Sequence, residues 1–293
     1  MKKPFLTGVL VITFMMCFLF TLHAGTAIDS LGNRISIPDE GARIISLSPG
    51  ATEVLFALGL DQELVGVSDF CNYPQEGTAG KPKMGGFSTP NIEKIQAQGP
   101  HVIVLTKSMP VGVKHQFERL GIQLFVAESS SFEELLRMIV ALGALIGRED
   151  EAKSLAHSMK IEAGGIVEAV RSRSTRPVKT MIEIWKDPYY VAGKNTLPGD
   201  VVRMAGGRVV PESSKEYPIL SEEAILEINP EALLIGHSID TGDIMESHRN
   251  LASISAIRNN KIFVPDPDTF LRPGPRVVSA LQEIARFLHP EAF

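Results

Sequence analysis

Glu149-Asp-Glu-Ala-Lys-Ser-Leu-Ala-His-Ser-Met-Lys-Ile-Glu-Ala-Gly-Gly-Ile-Val-Glu-Ala-Val-Arg-Ser-Arg173 stands near the middle of a chain of 293 residues. Ala152, Leu155, Ala156, Met159, Ala163, Ile166, Val167 and Val170 recur at helical spacing, so the stretch predicts one amphipathic helix. At 1.5 Å per residue it is roughly 35 Å long. Gly164 and Gly165 interrupt it, each costing about 1 kcal/mol against alanine, and offer a place to bend.

Short β-branched runs alternate with helical patterns on both sides of this helix. Before it, Arg43-Ile-Ile-Ser-Leu-Ser48, Glu63-Leu-Val-Gly-Val67, His101-Val-Ile-Val-Leu-Thr106 and Ile122-Gln-Leu-Phe-Val-Ala127 read as strands, preceded by a hairpin over 27–37 that turns at Gly32 and Asn33. Ser131-Phe-Glu-Glu134 is a capping box opening a helix that stops at Gly147. After it, Lys179-Thr-Met-Ile-Glu-Ile-Trp185, Glu231-Ala-Leu-Leu-Ile-Gly236 and Lys261-Ile-Phe-Val-Pro265 continue the alternation, and a helix over 275–288 closes the chain. Such alternation predicts parallel sheets covered by helices. The expected fold is therefore α/β: two doubly wound lobes, 25–147 and 177–293, joined by a single long helix over 148–176. A repeat at an offset of 130 residues supports it: Asn91-Ile-Glu-Lys-Ile with Pro100-His-Val-Ile-Val-Leu105 aligns with Ser221-Glu-Glu-Ala-Ile and Pro230-Glu-Ala-Leu-Leu-Ile235.

The first 24 residues have another character. Lys2 and Lys3 precede an apolar run from Phe5 to Leu22 and then small residues, the pattern of a signal peptide cut after Ala24 or Ala27. An uncleaved anchor and lipidation at Cys17 are the alternatives, the second disfavoured by bulky Phe14-Met15-Met16. An extracytoplasmic, periplasmic location follows. The leader's removal takes two lysines and leaves 27 basic against 34 acidic residues, a net charge of −7 that argues against nucleic acid as a partner. Cys71 is then the lone cysteine, so no intrachain disulfide or cysteine-built metal centre is expected.

No nucleophile elbow, phosphate loop, dinucleotide fingerprint or zincin motif occurs, so no enzyme is expected. The histidines show no ligand spacing, and His237 reads as a loop residue. The aromatics are more informative. Phe70 and Tyr73 follow the second strand; Phe87 lies in a glycine-rich loop; Trp185, Tyr189 and Tyr190 follow Lys179–Ile184; Tyr217 precedes the Ser221 helix; Phe270 follows the Lys261 strand. Ligands of parallel α/β sheets bind at the carboxyl ends of strands, and flat rings there suit a large, partly apolar ligand. Rings that merely pack the lobe surfaces are the plain alternative. Asp268 and Arg272 offer an acid and a base on one loop, or an ordinary surface ion pair. Glu93 and Glu223 occupy matching first-turn positions in the repeat, where an acid also stabilises the helix dipole.

From about Ala27 to Phe293 the chain resembles the cobalamin and iron-siderophore substrate-binding proteins of ABC importers, whose lobes are joined by one rigid helix. The resemblance rests on Arg43-Ile-Ile-Ser-Leu-Ser-Pro-Gly-Ala-Thr-Glu53, the Asn91 and Pro100 segments, and Arg272-Pro-Gly-Pro-Arg-Val-Val278. It is most similar to the cobalamin-binding branch, through Gly66-Val-Ser-Asp-Phe-Cys-Asn-Tyr-Pro74. The resemblance implies a corrinoid ligand contacted by Phe70, Phe87, Tyr190, Tyr217, Asp268 and Arg272, with Pro49 and Gly50 of the first signature beside it. Phe87 and Tyr217 stand where that branch carries tryptophan, and Tyr190 where it carries phenylalanine. It further implies that Glu93 and Glu223 dock to a membrane permease, that the chain is a monomer, and that it has no resident cofactor, cobalamin or another metal chelate being cargo. Heme or a ferric siderophore is the alternative ligand, heme needing an axial group such as Tyr73, Tyr189 or Tyr190. A cleft enzyme and a structural envelope protein are the more distant readings.

Overall fold

The computed structural model describes residues 24–38, 41–174, 176–239 and 244–293. The expected leader lies almost wholly outside them. The first part runs β1 (Ala24–Ile28), β2 (Arg34–Pro38), β3 (Ile44–Ser46), α1 (Pro49–Ala57), β4 (Leu64–Val67), α2 (Gln75–Ala79), α3 (Ile92–Ala97), β5 (Val102–Leu105), α4 (Val111–Arg119), β6 (Gln123–Val126) and α5 (Phe132–Leu145). β1 and β2 form the expected hairpin, turned by Gly32 at positive φ. The other four strands form a parallel sheet in the order β4-β3-β5-β6, with its switch point between β3 and β5.

The long helix α6 (Glu149–Arg173) then leads into β7 (Val178–Trp185), β8 (Tyr189–Val191), α7 (Leu197–Met204), β9 (Gly207–Val210), β10 (Ile219–Leu220), α8 (Glu222–Ile228), β11 (Ala232–Ile235), α9 (Ile244–Ser247), α10 (Ser255–Arg258), β12 (Ile262–Phe263), α11 (Pro267–Phe270) and α12 (Val277–Leu288). β7, β11 and β12 pair in parallel, as expected, and β9, which the sequence reading does not include, pairs in parallel with β7. β8 and β10 add an antiparallel extension that the sequence reading leaves as loop. Runs of two or three residues are too short to show a period.

Alternation along the strands sets the packing. Ile44, Val102 and Val104 face one cluster, and Ile45, Ile103 and Leu105 the opposite one; in the second sheet Ile182 and Leu234 face inward while Met181, Leu233 and Ile235 face an outer cluster. The inward cluster is shared: it runs from Phe125 through Leu142 of α5, Ala156 and Ile166 of α6 and Val201 of α7 to Ile284 of α12. The repeat also holds, for α3–β5 and α8–β11 carry the same exposed–buried sequence around Ile95 and Ile225 except at Lys94, exposed, against Ala224, half-buried.

α6 is continuous through Gly164 and Gly165, so the two glycines do not break the helix. Both glycines are exposed, with nothing within 4 Å of where a Cβ would stand. Gly143 of α5 is the reverse, since a Cβ there would fall 2.2 Å from Cβ of Ala152 and 2.8 Å from the Arg148 carbonyl. Gly164→Ala and Gly165→Ala are expected each to raise unfolding free energy by about 0.5–1 kcal/mol, and Gly143→Ala to lower it by about 1–3 kcal/mol. Urea denaturation of the three variants checks both signs.

Candidate ligand-binding site between the lobes

Strand direction decides where the lobes meet. Among the described residues polar contacts join them at four places, each involving a segment at or beyond the carboxyl end of a strand. Arg276 donates from Nε and Nη2 to the two carboxylate oxygens of Glu53 in α1, at 2.9 and 2.6 Å. Asn72, after β4, donates to Asp268 at 2.9 Å and accepts from Arg272 at 2.7 Å. Lys107, after β5, reaches Glu216 at 2.9 Å. The Phe132 amide, opening α5, donates to Asp200 of α7 at 2.9 Å.

The seam under these loops is buried and tightly packed. Glu53 is buried, with Arg272 a further 3.6 Å away, and its hydrogen bonds raise the Arg276 guanidinium further above its ordinary range. Gly50 packs against Pro273, whose carbonyl oxygen would lie 2.6 Å from an added Cβ. Gly50 is thus a point of lobe contact and is closed to a ligand, which corrects its placement in the site; Pro49 beside it is partly exposed.

The aromatic residues divide. Phe70, Phe87, Trp185, Tyr190 and Tyr217 are 38–58% exposed. Phe70 and Phe87 meet as a tilted pair 6.4 Å apart. Trp185 and Tyr190 are register partners on β7 and β8, and Tyr190 is paired in turn with Ile219, two residues beyond Tyr217. Phe70 flanks the Asn72–Asp268 contact through its own carbonyl, which accepts from Arg272 at 3.4 Å, and Tyr217 adjoins the Lys107–Glu216 contact. Both lobes therefore place exposed rings beside the contacts that span them.

Two expected members leave the set. Tyr189 is 5% exposed because neighbours on a strand point to opposite faces: Tyr190 looks out, and Tyr189 turns into the outer cluster with its hydroxyl unpaired. Burial, with the Glu183 charge second, raises the Tyr189 phenol far above its usual range. Phe270 is fully buried in the shared cluster, since two residues along a helix, about 200° of rotation, send it away from Asp268. Tyr73 lies beneath the Arg276 guanidinium, 4.1 Å from its ring centroid, and lines a groove of about 390 Å³ with Phe56 and Pro275.

Asp268 and Arg272 bond to each other at 2.5 Å and both to Asn72, so the anticipated ligand-addressing pair is also a clasp between lobes. Cys71 is buried, its sulfur against the hydroxyls of Thr52 and Ser68 at 3.1 Å. Glu93 and Glu223 are exposed in the first turns of α3 and α8, capped by Asn91 and Ser221. The Glu223 carboxyl is held below its usual range, first by its own backbone amide and then by Ser221.

Sequence reasoning missed several residues. Lys107, Glu128, Ser129 and Glu216 line a cavity of about 450 Å³ at the ends of β5 and β6. Burial raises the Glu128 carboxyl despite the Lys107 amide and charge, while burial followed by Glu128 and Glu216 pushes the Tyr217 phenol up to about 12. Position just after a predicted strand was the available signal. Glu183 is a second omission, and His237, read as a loop residue, binds it at 2.8 Å. Among the described residues no group of three or more His, Cys, Asp or Glu is arranged to hold a metal ion. No helix among them is long and apolar enough to cross a membrane.

A sequence profile described as periplasmic binding protein matches residues 44–269. An uncharacterized ABC transporter substrate-binding lipoprotein, YvrC, of Bacillus subtilis is 28% identical, covering 91% of this chain and 86% of its own length. A vitamin B12-binding protein of Vibrio cholerae is 25% identical, covering 86% and 90%. Among solved structures, the apo periplasmic heme-binding protein RhuT from Roseiflexus superposes with a TM-score of 0.74 at 26% identity, covering 86% of this chain and 99% of that one.

The two kinds of interlobe contact should differ sharply on mutation. Glu53→Ala strands two arginines at a buried seam and is expected to cost about 3 kcal/mol. Lys107→Ala removes an exposed pair and is expected to cost at most about 1 kcal/mol. Urea unfolding of both variants measures the contrast.

Proposed function

The chain belongs to the periplasmic binding protein family, and from that premise we propose that it is the extracytoplasmic substrate-binding component of an ABC importer whose cargo is cobalamin or a related corrinoid. The observation that carries this reading is the set of exposed rings contributed by both lobes beside their spanning contacts. An exposed tryptophan and phenylalanine pair is costly to leave in water unless something flat covers it. A corrin has two broad faces for Phe70, Phe87, Trp185, Tyr190 and Tyr217, and an amide rim for Asn72, Asp268 and Arg272. The vitamin B12-binding relative supports the same cargo. Entry at the sheets' carboxyl ends leaves Glu93 and Glu223, one from each lobe, free to meet basic residues of a two-fold permease.

Heme is the second reading, favoured by the similarity to a heme-binding structure and by the exposed Tyr190, the member of its pair open to solvent as an axial ligand. Tyr189 has no such access.

Trp185 is the one tryptophan of the chain, so its emission reports on the second lobe's rings directly. Titration of the purified protein with cyanocobalamin should quench it saturably at one equivalent. Phe87→Ala and Tyr217→Ala should each weaken binding roughly fivefold to tenfold. Saturation by hemin alone would transfer the assignment to the second reading, and indifference to cyanocobalamin, hemin and ferric siderophores would end both.

Docking is separable from capture. Glu93→Lys with Glu223→Lys should leave cyanocobalamin affinity unchanged and abolish stimulation of the cognate importer's ATPase in proteoliposomes. Normal stimulation by the double variant would remove these residues from the interface.

A further inference from the structure

Resting on the reading of Trp185 as part of the ligand wall, we propose that Glu183, His248 and His237 form a charged brace that positions Trp185 and stays intact only while His248 is protonated. The register of β7 against β8 shifts between Glu183 and Trp185, so the carboxylate turns fully inward while the indole, two residues on, faces out. Each carboxylate oxygen is taken by an imidazole: His237 Nε2 lies 2.8 Å from Oε1, and His248 Nε2 lies 2.9 Å from Oε2.

The protonation state of His248 follows from its neighbours. Its Nδ1 lies 2.9 Å from the Ile244 carbonyl and 2.9 Å from Ser247 Oγ, and that hydroxyl already donates to the same carbonyl at 3.0 Å. Nδ1 therefore donates to that carbonyl, and with Glu183 ionised Nε2 donates to the carboxylate. A ring that donates from both nitrogens is an imidazolium. His237 needs only its Nε2 proton, so one positive ring offsets the one buried negative charge. Its ring lies 5.8 Å from that of Trp185 at 55°, which makes His237 the link between brace and wall.

Among the described residues, Glu246 and Arg249 on either side of His248 pair with each other at 2.8 Å. Lys186 and Asp187 pair with each other at 3.2 Å in the turn before β8, Lys186 sits over the Tyr189 ring, and Glu222 of α8 accepts from Asn250. The Tyr189 ring is 6.2 Å from His248. Burial and, more weakly, Lys186 push the His248 pKa down; the hydrogen bond and charge of Glu183 and the Ile244 carbonyl outweigh them and leave it above the ordinary 6.5. A raised folded value means that the pairing stabilises fully below 6.5 and is lost as pH rises through the folded pKa. Above that point a buried carboxylate faces two neutral rings, and the segment carrying His237 no longer has a reason to hold Trp185.

The test needs no ligand. Trp185 emission of the free protein, followed from pH 6 to pH 10, should show one alkaline transition with a red shift, coincident with the imidazole titration of His248 by NMR. Glu183→Gln keeps the shape but removes the charge and should abolish the transition; His237→Ala should give red-shifted emission at every pH while His248 still titrates above its ordinary value. In cyanocobalamin titrations, wild-type affinity should fall about tenfold across the transition and that of Glu183→Gln less than twofold. Constant wild-type emission over this range, or parallel pH profiles for wild type and Glu183→Gln, would overturn the brace. A transition as described in a protein that takes up no chelate would support the brace and refute only the cargo assignment.

Discussion

The shared hydrophobic cluster beneath the two sheets is the constraint on which the rest of the molecule depends. α5 and α6 press together where Gly143 meets Ala152, α6 continues unbroken past that point, and α7 and α12 close the far side. Because one apolar cluster runs through both lobes at this level, a wide hinge motion would have to expose leucine, isoleucine and valine side chains together. At roughly 25 cal/mol for each Å² of apolar surface, opening even a modest part of the cluster costs several kcal/mol. The loops at the sheet tips are therefore carried on a frame that does not rotate freely.

Polar chemistry is layered on that frame by depth. Next to the cluster sits the buried Glu53 with Arg276, an arrangement that resists displacement because either partner alone would be an uncompensated charge. Farther out, Asn72, Asp268 and Arg272 form a ring of hydrogen bonds at partial exposure. Lys107 and Glu216 lie in the open, where water and salt weaken their attraction. The gradient runs from fixed to exchangeable, so an arriving ligand meets the most replaceable contacts first.

The long amphipathic stretch, the alternation of strand and helix and the repeat were legible in the sequence because each is a period extending over many residues. What escaped it was set by tertiary contact. β8 and β10 exist only because β7 offers an edge, and so the fates of Tyr189 and Tyr190, identical residues side by side, could not be told apart before that strand was known. Phe270 was assigned by its place after a strand, whereas a single turn of helix decides its direction. Glu183 read as one polar residue within an apolar strand, and its partners lie 54 and 65 residues away, beyond any local pattern.

A rigid frame and exposed rings explain each other. Were the lobes mobile, five large aromatic side chains in loops and at strand ends would collapse onto one another or onto the lobe surfaces, lowering their exposure. Held apart by the shared cluster and the Glu53 seam, they cannot, and the ordering entropy that a flexible site would lose on binding has already been lost in folding. On the proposed reading, discrimination would then fall to the shape and spacing of the rings themselves. A buried charge such as Glu183 is tolerable in such a frame for the same reason: its two imidazoles are delivered to it by segments whose positions the fold has already fixed, so the pairing geometry is good enough to offset the desolvation of the carboxylate.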